Sequence, residues 1–96
     1  MLRHIVIFKF KEDCSEEQLK AVADGMNALP AKIPQIVSYK HGKDAGVADS
    51  KFDYVLVADF ESAEDFLAYR VHPDHQAFGQ TVMPLIADVS QIQFYC

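Results

Sequence analysis

Two segments of this 96-residue chain alternate as β-strands do, yet each carries apolar side chains on both faces. In Leu2–Lys11, the even-numbered face holds His4, Val6, Phe8 and Phe10, and the odd-numbered face holds Ile5, Ile7, Lys9 and Lys11. In Phe52–Phe60, one face holds Tyr54, Leu56, Ala58 and Phe60, and the other holds Val55 and Val57. A sheet built on these two strands needs cover on both sides.

A helix is predicted between these strands, together with a short third strand. Ser15 followed by Gln18 is typical of a capping box and begins the helix, and Pro30 with Pro34 is expected to end it. The segment Ile36–His41 is more polar and is predicted to be a peripheral strand, followed by a solvated loop.

The last third of the chain predicts a broken helix and a final strand. Ser62 can cap a helix that is interrupted at His72–Pro73, because a residue before proline disfavours the helical region. A further helical segment is predicted to start at Pro73 and to be kinked or ended by Pro84, and Val89–Tyr95 is predicted to be the last strand. The order β-α-β-β-α-β predicts one α+β domain, residues 1–96, with a ferredoxin-like four-stranded antiparallel sheet whose first and third strands are central.

Helices on one face leave the other face of that sheet uncovered. Four β-branched side chains lie there: Ile5, Ile7, Val55 and Val57. Leaving them in water forgoes on the order of 1.5 to 3 kcal/mol each, which is large for a small domain. The sequence therefore predicts a homodimer with these residues at the interface. The alternative is a face partly exposed to solvent, as in many antiparallel sheets, and the presence of Lys9 and Lys11 favours it.

Composition and spacing argue against several classes of partner. The net charge is −5 and the basic residues are scattered, so no nucleic acid is expected. No apolar stretch is long enough for a signal peptide or a membrane span, and Cys14 and Cys96 suit a reducing compartment, so we expect a soluble cytoplasmic protein. Gly42 and Gly46 lack the spacing of a phosphate loop, and no cofactor is expected.

Reactive side chains are densest from Tyr69 to His75, and His4 can join them from the first strand. Imidazole carries protons near neutral pH and a phenol can donate to a developing oxyanion, so this set suits enolisation chemistry. His72 is better placed to cap or position the helix break. Tyr69 and His4 could instead be hydrogen-bonded core residues. His72 and His75 could instead bind a metal ion, but no third ligand with suitable spacing is apparent. His41 is expected to face solvent.

Two motifs, H-x-V-x-F-K-F-K from His4 and Y-x-x-H-P-x-H from Tyr69 to His75, give the chain a resemblance to the stress-responsive A/B barrel (Dabb) family. The resemblance covers nearly the whole chain and implies a ferredoxin-like dimer whose sheets form a barrel. One plant branch contains a cofactor-independent polyketide cyclase. Its acid/base histidine falls on His75, its orienting tyrosine on Tyr69 and a pocket histidine on His4, whereas Tyr54 stands where it has another histidine.

The resemblance also implies a small, mostly apolar pocket between helices and sheet. His75 would be the base, Tyr69 would orient the substrate and donate to the oxyanion, and His4 would polarise the substrate. The residues expected to contact a carbonyl-bearing small molecule are Val6, Phe8, Tyr54, Leu56 and His72. Cyclase or lyase chemistry is the first hypothesis; a non-catalytic stress or assembly protein and a cofactor-free monooxygenase are the alternatives.

Overall fold

A four-stranded antiparallel sheet carries the helices on one face in the computed structural model, which describes residues 1–96. The elements in chain order are β1 (Leu2–Phe10), α1 (Glu16–Lys32), β2 (Ser38–Lys43), β3 (Tyr54–Phe60), α2 (Ala63–Val71), α3 (Pro73–Val82), a 3₁₀ turn (Met83–Leu85) and β4 (Ile86–Tyr95). The strand order is β2-β3-β1-β4. The ferredoxin-like arrangement and the central places of β1 and β3 are confirmed.

Side-chain caps start all three α-helices. Ser15 Oγ accepts from the backbone N–H of Gln18 at 3.1 Å, and Gln18 Oε1 accepts from the N–H of Ser15 at 2.8 Å, so the predicted capping box is present. Ser62 caps α2 and Nδ1 of His72 accepts from the N–H of Asp74 at 3.1 Å, capping α3. The local sequence signals for helix starts were therefore correct.

Pro30 does not end α1, contrary to the sequence prediction. It lies within the last turn, where only the hydrogen bond to the carbonyl of Met26 is lost, and the helix continues to Lys32. Ile33 then takes an extended conformation, as a residue before proline favours, so Pro34 is the residue that sets the end.

The edge strands also differ from their predicted bounds. β2 runs two residues later than expected because its last residue, Lys43, pairs with Tyr54 of β3. β4 begins at Ile86, three residues early, because Ile86 pairs with Phe10 directly after the 3₁₀ turn that contains Pro84. Pairing with a neighbouring strand, which local sequence does not reveal, set both boundaries.

The alternation predicted for β1 is present, with the even-numbered side chains buried beneath the helices. The opposite face, here called the outer face, contains Ile5, Ile7, Val55 and Val57, all half-buried. Ile92 and Phe94 of β4 extend it and are 65% and 44% exposed. One side of the sheet is thus a core and the other is an uncovered apolar surface. No helix has the length and hydropathy needed to cross a membrane.

Candidate functional site

A cavity of about 340 Å³ lies between the inner face of the sheet and the helices. Hydrophobic residues make up 11 of the 16 that line it, so most of its wall is apolar. The side chains with polar atoms are His4, Tyr39, Tyr69, Arg70, His75 and Gln91. A cavity of this size with a few convergent polar groups has the properties of a small-molecule site.

Strand register places His4 and Tyr39 in the same row of the sheet. Tyr39 of β2 pairs with Ala58 of β3, and Ala58 pairs with His4 of β1. Paired residues point to the same face, so the two polar side chains stand on either side of a methyl group. Ala58 itself is fully buried and packs in one core cluster with Tyr69 of the helical layer.

Tyr69 of α2 lies at the centre of the polar group. Its hydroxyl is 2.7 Å from the hydroxyl of Tyr39, and its ring centroid is 4.2 Å from that of His75 and 6.3 Å from that of His4. Burial raises the pKa of Tyr69 to about 12, although its hydrogen bond with Tyr39 acts in the opposite direction. Burial, followed by the proximity of Tyr69, also raises the pKa of Tyr39. Both phenols are therefore protonated, and able to donate, at neutral pH.

His75 approaches the cavity from the side of the helix break. Its Nδ1 is 3.1 Å from the backbone carbonyl oxygen of Arg70, which can only accept, so Nδ1 carries the proton. Burial lowers the pKa of His75 below its ordinary value, and the hydrogen bond to Arg70 offsets part of that effect. A neutral His75 then has its lone pair on Nε2, which is the form needed for a base.

His4 is held in the opposite tautomer. The amide nitrogen of Gln93 lies 2.8 Å from Nδ1 of His4 and 3.1 Å from Oε1 of Gln91. Because an amide nitrogen only donates, Nδ1 of His4 accepts and the proton of the neutral ring is on Nε2. Burial, and then the positive charge that His75 and Arg70 can carry, lowers the pKa of His4 to about 4. His4 is thus a neutral donor at physiological pH.

The arrangement combines one neutral acceptor with two kinds of donor around a single cavity. Nε2 of His75 can take a proton, while the hydroxyl of Tyr69 and the Nε2–H of His4 can each donate to an oxygen that gains negative charge. No group of three or more His, Cys, Asp or Glu side chains that could hold a metal ion is found in the chain.

Not every residue expected at the site lines the cavity. Val6, Phe8 and Leu56 do, beside His4, Tyr69 and His75. His72 does not and serves as the cap of α3.

Tyr54 lies outside the cavity as well. It faces the same side of the sheet but borders a separate open cleft at the far end, and its hydroxyl is 2.6 Å from Nδ1 of His41. The expectation that His41 faces solvent was wrong, because its Nε2 also bonds Oδ1 of Asn27 at 2.6 Å and the ring is half-buried. This cluster joins α1 to the sheet.

Sequence reasoning missed Tyr39, Gln91 and Gln93, and it assigned no role to Arg70 although Arg70 lies in the Tyr69–His75 cluster. Tyr39 alternates with His41, a period-two signal that was present but fell in a strand judged peripheral. The two glutamines alternate along β4 in the same way, but only the pairing of β1 with β4 shows that Gln93 contacts His4 and that Gln91 bonds Gln93 beside it. Arg70 carries no sequence signal beyond its place next to Tyr69.

This fold and cavity define a class: small α+β proteins with a ferredoxin-like sheet and a histidine–tyrosine cavity beneath its helices. The chain belongs to the stress responsive A/B barrel domain (Dabb) family, whose model matches residues 2–96. The resemblance inferred from the two motifs is therefore confirmed.

Two curated relatives come from plants. The chain is 28% identical over 96 residues to a stress-response A/B barrel domain-containing protein of Arabidopsis thaliana; the match covers 98% of this chain, which spans 36% of the length of that relative. It is 29% identical over 80 residues to olivetolic acid cyclase of Cannabis sativa, covering 81% of this chain and 79% of the cyclase.

Two solved structures share the fold over almost the full chain. A dimeric ferredoxin-like protein of unknown function from Thermobifida fusca is 35% identical, with a TM-score of 0.91 and coverage of 99% of this chain and 90% of that one. Hydroxynitrile lyase from Passiflora edulis is 25% identical, with a TM-score of 0.88 and coverage of 97% and 90%.

Proposed function

We propose that this chain is a homodimer whose cavities carry out cofactor-independent acid–base chemistry, of cyclase or lyase type, on a carbonyl-bearing small molecule. One observation carries the proposal. His4 and His75 are both neutral but are held in opposite tautomers, with their ring centroids 6.3 and 4.2 Å from that of Tyr69. A neutral imidazole with its proton on Nδ1 can accept at Nε2, and one with its proton on Nε2 can donate there, so the two rings suit separate base and donor roles.

The roles follow from the hydrogen bonds. Nε2 of His75 removes a proton from the carbon next to the substrate carbonyl, and the electron pair moves onto the carbonyl oxygen. That oxygen is stabilised by donation from Tyr69 and from the Nε2–H of His4. In a cyclisation the enolate carbon attacks a second carbonyl, and protonated His75 gives its proton to the alkoxide that forms. In a lyase reaction Nε2 of His75 instead removes the proton of a hydroxyl group, the adjacent carbon–carbon bond breaks as the carbonyl forms, and protonated His75 gives its proton to the carbanion that leaves.

The apolar wall of the cavity supports a substrate with little polarity besides its carbonyl. Val6, Phe8 and Leu56 supply that wall and can bind the carbon skeleton. The cyclase and the hydroxynitrile lyase among the similar proteins also support the proposed reaction class.

Proton abstraction can be measured without knowing the natural substrate. In deuterated buffer near neutral pH, ¹H NMR should show accelerated exchange of the α-protons of 4-phenyl-2-butanone, a small apolar ketone. His75→Ala and Tyr69→Phe should each reduce this acceleration by about 100-fold or more. His41→Gln removes a histidine outside the cavity and should keep it. If His75→Ala and Tyr69→Phe both left exchange and ketone affinity unchanged, the site assignment would be wrong.

The dimer is proposed from the outer face. Ile5 pairs with Val57 on one side and with Ile92 on the other, so the apolar side chains form a continuous strip across three strands. Similar structures are dimeric, which supports a second copy of this chain as the cover.

Size-exclusion chromatography with light scattering should give a dimer at micromolar concentration. Val57→Lys should give a monomer, whereas Leu67→Lys, on a helix residue already 54% exposed, should not. A wild-type monomer would contradict the proposal.

A non-catalytic role is the second candidate, and one contact favours it. His75 bonds the carbonyl of Arg70 across the break between α2 and α3, so the ring also holds the two helices together. If that is its whole function, His75→Ala should lower the melting temperature while no small molecule from a metabolite screen stabilises the wild-type protein.

A further inference from the structure

The lining of the cavity contains a single permanent charge, the guanidinium of Arg70. None of its 16 residues is Asp or Glu, although the chain has 14 acidic residues and a net charge of −5. A cavity with a positive charge and no carboxylate, in a chain where acidic residues outnumber basic ones, is electrostatically suited to an anion.

Arg70 also has no carboxylate partner. The chain has two arginines, and Nε and Nη2 of Arg3 bond the two carboxylate oxygens of Asp59 at 2.8 and 3.0 Å. No carboxylate lies within 4.0 Å of Arg70, whose guanidinium carbon is instead 5.9 Å from the centre of the Phe66 ring. Its planar fork of donors is therefore open, in the geometry that binds a carboxylate through two hydrogen bonds.

The position of Arg70 gives the cavity a direction. Arg70 follows Tyr69 and is exposed, so it stands at the mouth, close enough to lower the pKa of both His4 and His75 by its charge. Val6 and Phe8 follow His4 along β1, and at about 3.4 Å per residue Phe8 lies roughly 14 Å from His4. The polar end of the cavity at His4 and its apolar end at Phe8 are thus separated by about the length of a medium-sized organic acid.

We propose that the substrates of this site are carboxylic acids with an apolar chain or ring, and that Arg70 binds the carboxylate at the mouth of the cavity. The apolar part lies toward Val6 and Phe8, which places the middle of the molecule beside Tyr69 and the two histidines. This inference rests on the proposed function for the identity of the site and adds the substrate class to it.

The test compares an acid with a neutral molecule of the same shape. Isothermal titration calorimetry with 4-butylbenzoate and 4-butylbenzamide should show the acid binding about three- to tenfold more tightly to the wild-type protein, as expected for a charge-assisted pair that remains partly in water. Arg70→Gln should remove this preference by weakening the acid alone. Lys11→Gln, an equal change of charge on an exposed residue away from the cavity, should preserve it, and Arg70→Lys should retain only part of it.

Arg70 also lies in the last turn of α2, where a cation complements the helix dipole. If that is its only role, Arg70→Gln lowers the melting temperature and leaves the preference for the acid in place, which would overturn the proposal. Equal binding of the two probes, or no binding of either at millimolar concentration, would overturn it as well.

The two proposals fail in different ways. A protein that exchanges ketone α-protons but binds acid and amide equally retains the proposed function and loses the inference about Arg70. One that prefers the acid through Arg70, yet exchanges no α-protons in wild type, retains the carboxylate site and loses the acid–base chemistry.

Discussion

Gly25 occupies the middle of α1, and replacing it with alanine should destabilise the protein, against the usual preference of helices. A methyl group at this position would lie 2.5 Å from Cε1 and 2.7 Å from Cδ1 of Phe78 on α3. These distances are far shorter than carbon atoms tolerate, so either the ring or the helix has to move. Glycine at this position lets α1 and α3 pack closely.

The size of the effect follows from two opposing terms. Alanine gains about 1 kcal/mol over glycine in a helix interior, whereas forcing extra volume into a packed contact costs about 1 to 3 kcal/mol. Gly25→Ala should therefore lose up to about 2 kcal/mol. Gly79, inside α3, has nothing within 4 Å of an added Cβ, so Gly79→Ala receives only the gain of about 0.5 to 1 kcal/mol.

Thermal unfolding of the two variants at one protein concentration measures the difference. A gap of about 1 to 3 kcal/mol corresponds to at least about 4 °C in melting temperature for a domain of this size, with Gly25→Ala below wild type and Gly79→Ala above it. If both variants shifted in the same direction by similar amounts, close packing of Phe78 on α1 would be refuted as the reason for the glycine.

Three further predictions concern the buried polar groups. Burial lowers the pKa of His4 to about 4, so as the pH falls the unfolded chain takes up a proton on His4 before the folded protein does. Urea titrations should therefore show the free energy of unfolding falling by on the order of 3 kcal/mol from pH 6.5 to 4. His4→Phe should flatten that dependence on pH, and an unchanged dependence would contradict the prediction. Tyr39→Phe should raise the pKa of Tyr69, which ultraviolet titration of the phenols measures, and should lower the free energy of unfolding by about 1 kcal/mol. Equal titration curves for the variant and the wild type would contradict this prediction. The hydrogen bonds from Arg3 lower the pKa of Asp59, so their stabilisation is complete above about pH 4 and is lost as the pH falls through the lowered pKa. Asp59→Asn should therefore destabilise the protein at neutral pH, and this loss should shrink steadily in acid below about pH 4; a loss that did not change with pH would show that the charge is not responsible.

The sequence alone determined the features that depend on near neighbours in the chain. The two-residue period of β1 fixed which side chains share a face, and Ser15 with Gln18 fixed the start of α1. Proline chemistry located the break at His72, and its side chain does cap the next helix. These succeeded because backbone conformation and short-range hydrogen bonds act over a few residues.

Tertiary structure alone decided which of those side chains meet. Pairing between strands brought Tyr39 into the row of His4 and gave His4 the partner, Gln93, that sets its tautomer. The same pairing sent Tyr54 to the opposite end of the sheet, toward His41. Residue type predicted that imidazole and phenol could perform acid–base chemistry, but which ring nitrogen holds the proton depends on donors and acceptors as much as 89 residues away. Those contacts are made only once the sheet has formed, so no local pattern encodes them.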